Sequence, residues 1–321
     1  MLSWYDYSGD TMKRFLTIII CITLISASIY KIPLITDKIS SYFYATQKVV
    51  LPEKNVYAKE TSYEFVSITN NFVPYNFQEL INIYYTALDS GYEKFTFYCP
   101  VEYQDCLNDV KNINDSENGD ILTTLGNYVS PFNNFKTLKV QYDTAGEVTI
   151  IVNHIYNDED IRKINAKLDD LWVSLVKDDM ESEDIIYAFH DYFINTTKYD
   201  QLYEEEVKKG PTTHESSKAN GVLFEGFAIC SGYTDAMALV LDRLNLPNFK
   251  VASSTHVWNV VYIDDAWLHL DLTWDDPVSD PSDPNPKDIL LHKFYLINTN
   301  TLEEFDIEDH SFNKSIYLEL K

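Results

Sequence analysis

Residues 256–277, "HVWNVVYIDDAWLHLDLTWDDP", constrain the fold more than any other stretch of the chain. Apolar and polar residues alternate on both sides of Asp264-Asp265, the pattern of two antiparallel strands joined by a tight turn. A two-residue turn pairs Ile263 with Ala266, which sets Trp258 opposite Asp271 and His256 opposite Thr273. His256 and Asp271 then share a face as diagonal neighbours, their β-carbons roughly 7–8 Å apart or a little less. Val257, Val261, Ile263, Leu268, Leu270 and Leu272 make the opposite, apolar face. A slip of one residue would send His256 and Asp271 to opposite faces, so the register is a definite expectation.

Just upstream, "GVLFEGFAICSGYTDAMALVLDRL" (221–244) reads as a glycine-punctuated loop entering a helix that Pro247 ends. Gly226 and Gly232 bracket Cys230, which falls at the helix start. A thiol there feels the positive end of the helix macrodipole, which favours its thiolate. Taken alone, a cysteine in such a place is a small packed residue. Cysteine at a helix start, histidine on a strand and aspartate on the next strand together form a nucleophile, a base and an orienting carboxylate. In that reading His256 holds the thiolate as an ion pair and protonates the leaving group, and Asp271 fixes the imidazole. The backbone N–H of Cys230 is the natural oxyanion donor. Of the other histidines, His154, His190, His214, His292 and His310 show no such partners and read as core or surface. His269 shares the Asp271 face. Trp258, two residues after His256, either covers that face beside a substrate or packs in the core.

The sequence from 182 to about 310 resembles a transglutaminase-like domain of the papain-like cysteine enzymes. The pieces that carry the likeness are "HDYFINTTKYD", "KANGVLFEGFAICSGYTDA" and "THVWNVVYIDDAWLHLDLTWDDP", followed by "FYLINTNTLEEFDIEDH". It is similar in particular to bacterial exported or membrane-anchored proteins of this type. The resemblance implies an α+β fold, with the helix bearing Cys230 packed on an antiparallel sheet, and a triad of Cys230, His256 and Asp271. It also implies an oxyanion-region role for Tyr199 and, more remotely, Gln201. The short approach "VASSTHVWN" lacks the glycine-rich loop often found before the histidine, which puts the shape of the cleft in question.

The whole chain of 321 residues divides into an N-terminal hydrophobic segment (1–35), an accessory α/β region (36–156) and the transglutaminase-like domain (157–321). Lys13 and Arg14 precede an apolar run from Phe15 to Tyr30, the form of a signal peptide or a membrane anchor. This predicts a protein exported, then secreted or held at the membrane facing outward. In 36–156, "NFQELINIYYTALDSG" has helical spacing, "YEKFTFYC" alternates, and two β-like runs flank "DTAG". Asn157 and Asp160 resemble a capping arrangement at the head of the next helix.

Four cysteines are too few for a disulfide scaffold; Cys99 and Cys106 are either a disulfide or two inert thiols. No Cys/His cluster at metal spacing occurs, so neither metal nor other cofactor is expected. Calcium on Asp275, Asp276, Asp280 and Asp283 is weighed against a solvated acidic loop, and the loop is preferred. A formal charge of −25 excludes nucleic acid as a partner, since phosphate binding needs a surplus of Lys and Arg. The expected partner is a protein or peptide substrate, including cell-envelope peptides, cleaved or transferred through a thioester. The competing expectation is an idle module of the same fold that binds surface proteins or wall.

Overall fold

The computed structural model describes residues 49–115, 120–209, 214–277 and 291–321, with isolated positions before them. The expected export segment, 1–35, lies outside this set apart from a few scattered positions. Among the described residues no helix is long and apolar enough to cross a membrane.

The hairpin adopts the expected register. Strand β7 (Val257–Ile263) pairs antiparallel with β8 (Ala266–Leu270), Ile263 against Ala266 and Val260 against His269. Asp264 and Asp265 both take positive φ, 50° and 60°, the left-handed pair that a two-residue turn with the strands' own twist requires. β6 (Asn248–Ala252) adds to the other side of β7, giving a sheet ordered β6-β7-β8. The sequence expectation differs at the ends. β8 stops at Leu270, and Asp271 caps a single helical turn, α8 (Leu272–Asp275), instead of continuing the strand.

The helix that begins with Cys230, α7 (Cys230–Arg243), packs on one face of this sheet. Asn259 donates to the Thr234 carbonyl at 3.0 Å and Thr234 Oγ1 to the Val257 carbonyl at 3.0 Å, stitching helix to strand. The apolar face read from sequence lies here: Val261, Ile263, Leu270 and Leu272 share a core with α7 and with α4 (Asp158–Leu175) and α5 (Ser182–Thr196). Asn157 caps α4 through the expected box with Asp160.

The other face is not open. Phe249, Val251, Trp258 and Val260 enter a second core built from the N-terminal region: α1 (Phe77–Asp89), β1 (Lys94–Tyr98), α2 (Cys106–Asn114), α3 (Asp120–Tyr128), β2 (Phe135–Tyr142) and β3 (Glu147–His154). These three strands form an antiparallel sheet ordered β1-β3-β2, with β2 and β3 the hairpin expected around "DTAG". Phe249 sits among Tyr63, Tyr128, Trp267 and Tyr317, ring centroids 5.0–6.0 Å away. Such aromatic pairs each add about 0.5–1.5 kcal/mol beyond area burial, so the two regions are joined by their largest side chains. The fold is α+β, with the β6-β7-β8 sheet shared between two cores. A disulfide joins Cys99 and Cys106.

Candidate active site

Cys230 owes its place to the chain segment before it. Residues Gly221–Glu225 form one π-helical turn that Gly226 closes at φ 72°, its N–H donating to the Gly221 carbonyl at 2.8 Å. A left-handed residue there favours glycine. The chain then runs as β5 (Phe227–Ala228), parallel to β4 (Lys198–Tyr199). Ile229 N–H donates to the Ser216 carbonyl at 2.9 Å. Gly232 serves by having no side chain: a β-carbon would stand 2.4 Å from the Ser216 carbonyl oxygen and 2.9 Å from that of Lys218. The 215–219 strand of backbone can therefore lie directly on the first turn of α7. The cap residue, Ile229, offers no side-chain acceptor, which leaves first-turn amides beside the thiol without a side-chain partner. Cys230 is a free, half-buried thiol.

One buried pair anchors this arrangement. Asp235, on α7, accepts from Lys250 Nζ at 2.9 Å and from the Tyr156 hydroxyl at 2.8 Å, and Tyr156 in turn accepts from the Ala219 amide at 2.8 Å. Helix, sheet, N-terminal hairpin and the 215–219 backbone meet at these groups.

His256 stands just before β7. Ser253 Oγ accepts from the Thr255 and His256 amides at 3.2 and 3.0 Å, a serine-tied turn in place of a glycine-rich loop. Its Nε2 donates to Asp271 Oδ2 at 2.6 Å. The Cys230 side chain lies near enough to the imidazole to help raise its pKa, and with Nε2 on Asp271, Nδ1 is the nitrogen that the carboxylate does not hold. Imidazole and carboxylate are joined directly, with the Cys230 thiol in the imidazole's neighbourhood.

Burial alone would lower the His256 pKa, but the charge and hydrogen bond of Asp271, with Cys230 behind them, push it up to about 10. Asp271 is fully buried and accepts four hydrogen bonds. Oδ1 takes the Thr273 and Trp274 amides at 3.0 and 3.3 Å; Oδ2 takes His256 and, at 2.9 Å, His310 Nε2. Burial raises its pKa, yet the two histidines outweigh it and hold the carboxyl well below the usual carboxylate range.

Several expectations are corrected here. His310, read as core or surface, is a second partner of Asp271; it rests in a 3-10 turn, Glu308–His310, far downstream, where no periodic pattern marks it. His269 shares the face but not the chemistry. Its Nδ1 accepts from Trp258 Nε1 at 2.9 Å, and burial with the nearby His310 pushes its pKa down to about 3, so it is neutral. Trp258 is 1% exposed and cannot reach a substrate. Its indole stacks behind His256, centroids 5.6 Å apart and planes 15° apart, and so buttresses the imidazole. Asp275 and Asp276 do not belong to the solvated loop preferred from sequence: both are buried, Asp275 bonded to His190 at 3.1 Å and Asp276 accepting from Tyr233 at 2.6 Å. Asp280 and Asp283 lie outside the described residues.

A cleft of about 330 Å³ opens at His256, lined also by Tyr199, Thr255, Thr273, Trp274 and Asp276. Tyr199 therefore belongs to the cleft, on the strand paired with β5. Gln201 is exposed beyond it and does not line the cleft. Another cavity, about 370 Å³, surrounds Lys59, Asp242 and Arg243 at the opposite end of α7, a helix length from the thiol.

No family model matches the sequence, and no curated protein does. Among solved structures it is similar to a transglutaminase, at a TM-score of 0.33 and 17% identity, over 53% of this chain and 52% of that one. It is also similar to a proposed cysteine protease from Cytophaga hutchinsonii, at a TM-score of 0.26 and 12% identity, over 43% and 61% of the two chains. The chain thus spans less than two thirds of either protein's length. At this level of similarity the side-chain geometry has to carry the functional reading.

Proposed function

We propose that this protein is a cysteine enzyme of the transglutaminase-like kind that acts on amide bonds of protein or peptide substrates outside the cytoplasm. Cys230 is the nucleophile, His256 the general acid and base, and Asp271 the group that orients and charges the imidazole. The supporting observation is the 2.6 Å bond that fixes His256 Nε2 on Asp271 and leaves the other nitrogen for the sulfur at the head of α7.

The thiolate attacks the carbonyl carbon; the oxyanion is received by the Cys230 N–H, with Tyr199 at the cleft wall. His256 gives its proton to the leaving amine and a thioester remains. Water, losing a proton to His256, attacks the thioester, releasing the carboxylic acid and restoring the thiol. An amine in place of water would give a cross-link. At an open cleft bulk water outnumbers any amine acceptor, so hydrolysis is the favoured outcome. The Cys99–Cys106 disulfide, a bond that persists in oxidising compartments, supports the exported setting.

A library of peptides ending in mild electrophiles, followed by intact-mass and peptide mass spectrometry, tests the reading. Adducts on Cys230 that vanish in His256→Ala support it. A folded protein whose Cys230 accepts none of them is the idle module instead.

A further inference from the structure

On the far side of α8 a second histidine assembly has no part in the chemistry above. His190, on α5, is wholly buried, and its Nε2 lies 3.1 Å from Asp275 Oδ2. With Nε2 on that carboxylate, Nδ1 is the ring nitrogen left facing away from it. Nδ1 is itself buried and has no hydrogen-bond partner among the described residues. What it faces is Asp191 Oδ1, 3.7 Å away, too far for a hydrogen bond. The same Oδ1 is 2.6 Å from His292 Nε2, and the three ligand-type atoms lie within 4.8 Å of one another.

We propose that His190 Nδ1, Asp191 and His292 Nε2 bind a first-row divalent transition metal, Zn²⁺ foremost. Two imidazoles and one carboxylate suit a borderline cation, whereas calcium needs six to eight oxygens. Tetrahedral bonds of about 2.0–2.1 Å put ligand atoms about 3.4 Å apart, and the two spacings of 2.6 and 3.7 Å bracket that value. The Asp275–His190 contact is the carboxylate–histidine arrangement that fixes a metal ligand's tautomer. The rings are already held: Tyr187 stacks on His292 at 4.9 Å and Tyr295 meets His190 edge-on at 5.2 Å. Asp191 and His292 are about one-third exposed, which gives a metal a way in and leaves a coordination position for water. Bound there, the ion ties α5 to the chain on both sides of residues 278–290. The site escapes sequence reading because Asp191 and His292 are 101 residues apart.

The test uses the full chain carrying Cys230→Ala, so that the thiol cannot compete for metal. Calorimetric titration with Zn²⁺ and the visible spectrum with Co²⁺ are recorded. One ion per chain and tetrahedral Co²⁺ bands are expected. Asp191→Asn and His292→Ala should each weaken binding by at least about 100-fold, and Asp275→Asn by about 10–100-fold. His292→Cys, which keeps a ligand at this position, should retain the ion and add a thiolate-to-Co²⁺ charge-transfer band. The proposal is overturned if the Cys230→Ala chain takes up no Zn²⁺, if His292→Ala binds as tightly as its parent, or if His292→Cys shows no such band.

Discussion

Asp271 and Asp275 stand four residues apart on one short turn of helix, and each is bonded to a histidine Nε2. The two pairs nevertheless have different surroundings. Asp271 collects two histidines and two amides, so its charge is well supported and its pKa falls. Asp275 has one histidine and the Phe294 amide; burial outweighs them and its pKa rises. The histidines differ in what faces the second nitrogen. For His256 it is the neighbouring thiol at the start of α7; for His190 it is the Asp191–His292 pair, about one-third exposed. A carboxylate–histidine unit stands in both places, and in the proposed roles the third group decides between proton transfer and metal binding.

The comparison breaks first at the thiol. Cys230→Ala should abolish every covalent adduct while leaving Zn²⁺ uptake intact, as read by mass spectrometry and calorimetry. Asp271→Asn should cost about 10³–10⁴-fold in turnover with the fold preserved, because the imidazole loses its orientation and its counter-charge. Asp235→Ala should affect both sites equally, through stability. It strands the Lys250 ammonium in the interior, a loss of about 3–5 kcal/mol in denaturant unfolding, with unchanged activity per folded molecule. His310→Gln removes one charged hydrogen bond from Asp271, about 1.5 kcal/mol, and should slow turnover about tenfold without altering metal affinity.

The smallest effect is on pH dependence of stability. The His256 pKa is raised on folding, so its stabilisation is complete below about pH 6.5 and is lost as pH rises through about 10. Asp271 behaves oppositely: its contribution is full above its ordinary carboxylate pKa and disappears on strong acidification. Unfolding curves from pH 7 to 10 should therefore fall less steeply for His256→Gln than for the parent. Parallel curves would deny the ion pair.

Much of this was legible in the chain, and for identifiable reasons. Two aspartates between alternating strands admit one turn, which fixed the register around Ile263 and Ala266. The helix start at Cys230 followed from glycine punctuation before an apolar run, and the register put His256 within bonding reach of Asp271. Alternation reports which residues share a face, not whether that face is covered. Trp258 is therefore ambiguous in the sequence alone, and in the fold the N-terminal core closes over it. His310, His190 and His292 belong to contacts made by irregular or distant segments, where no period exists to read.

The central claim is that one sulfur, held by an oriented imidazolium, is more nucleophilic in the folded protein than its own sequence makes it. The direct measurement is the rate of iodoacetamide labelling of Cys230 at pH 6, resolved at the peptide level, in native protein and in protein unfolded by urea. Labelling should be faster in the native state, and His256→Ala should remove the advantage. A native thiol that reacts no faster than the unfolded one, or equally fast without His256, would contradict the account.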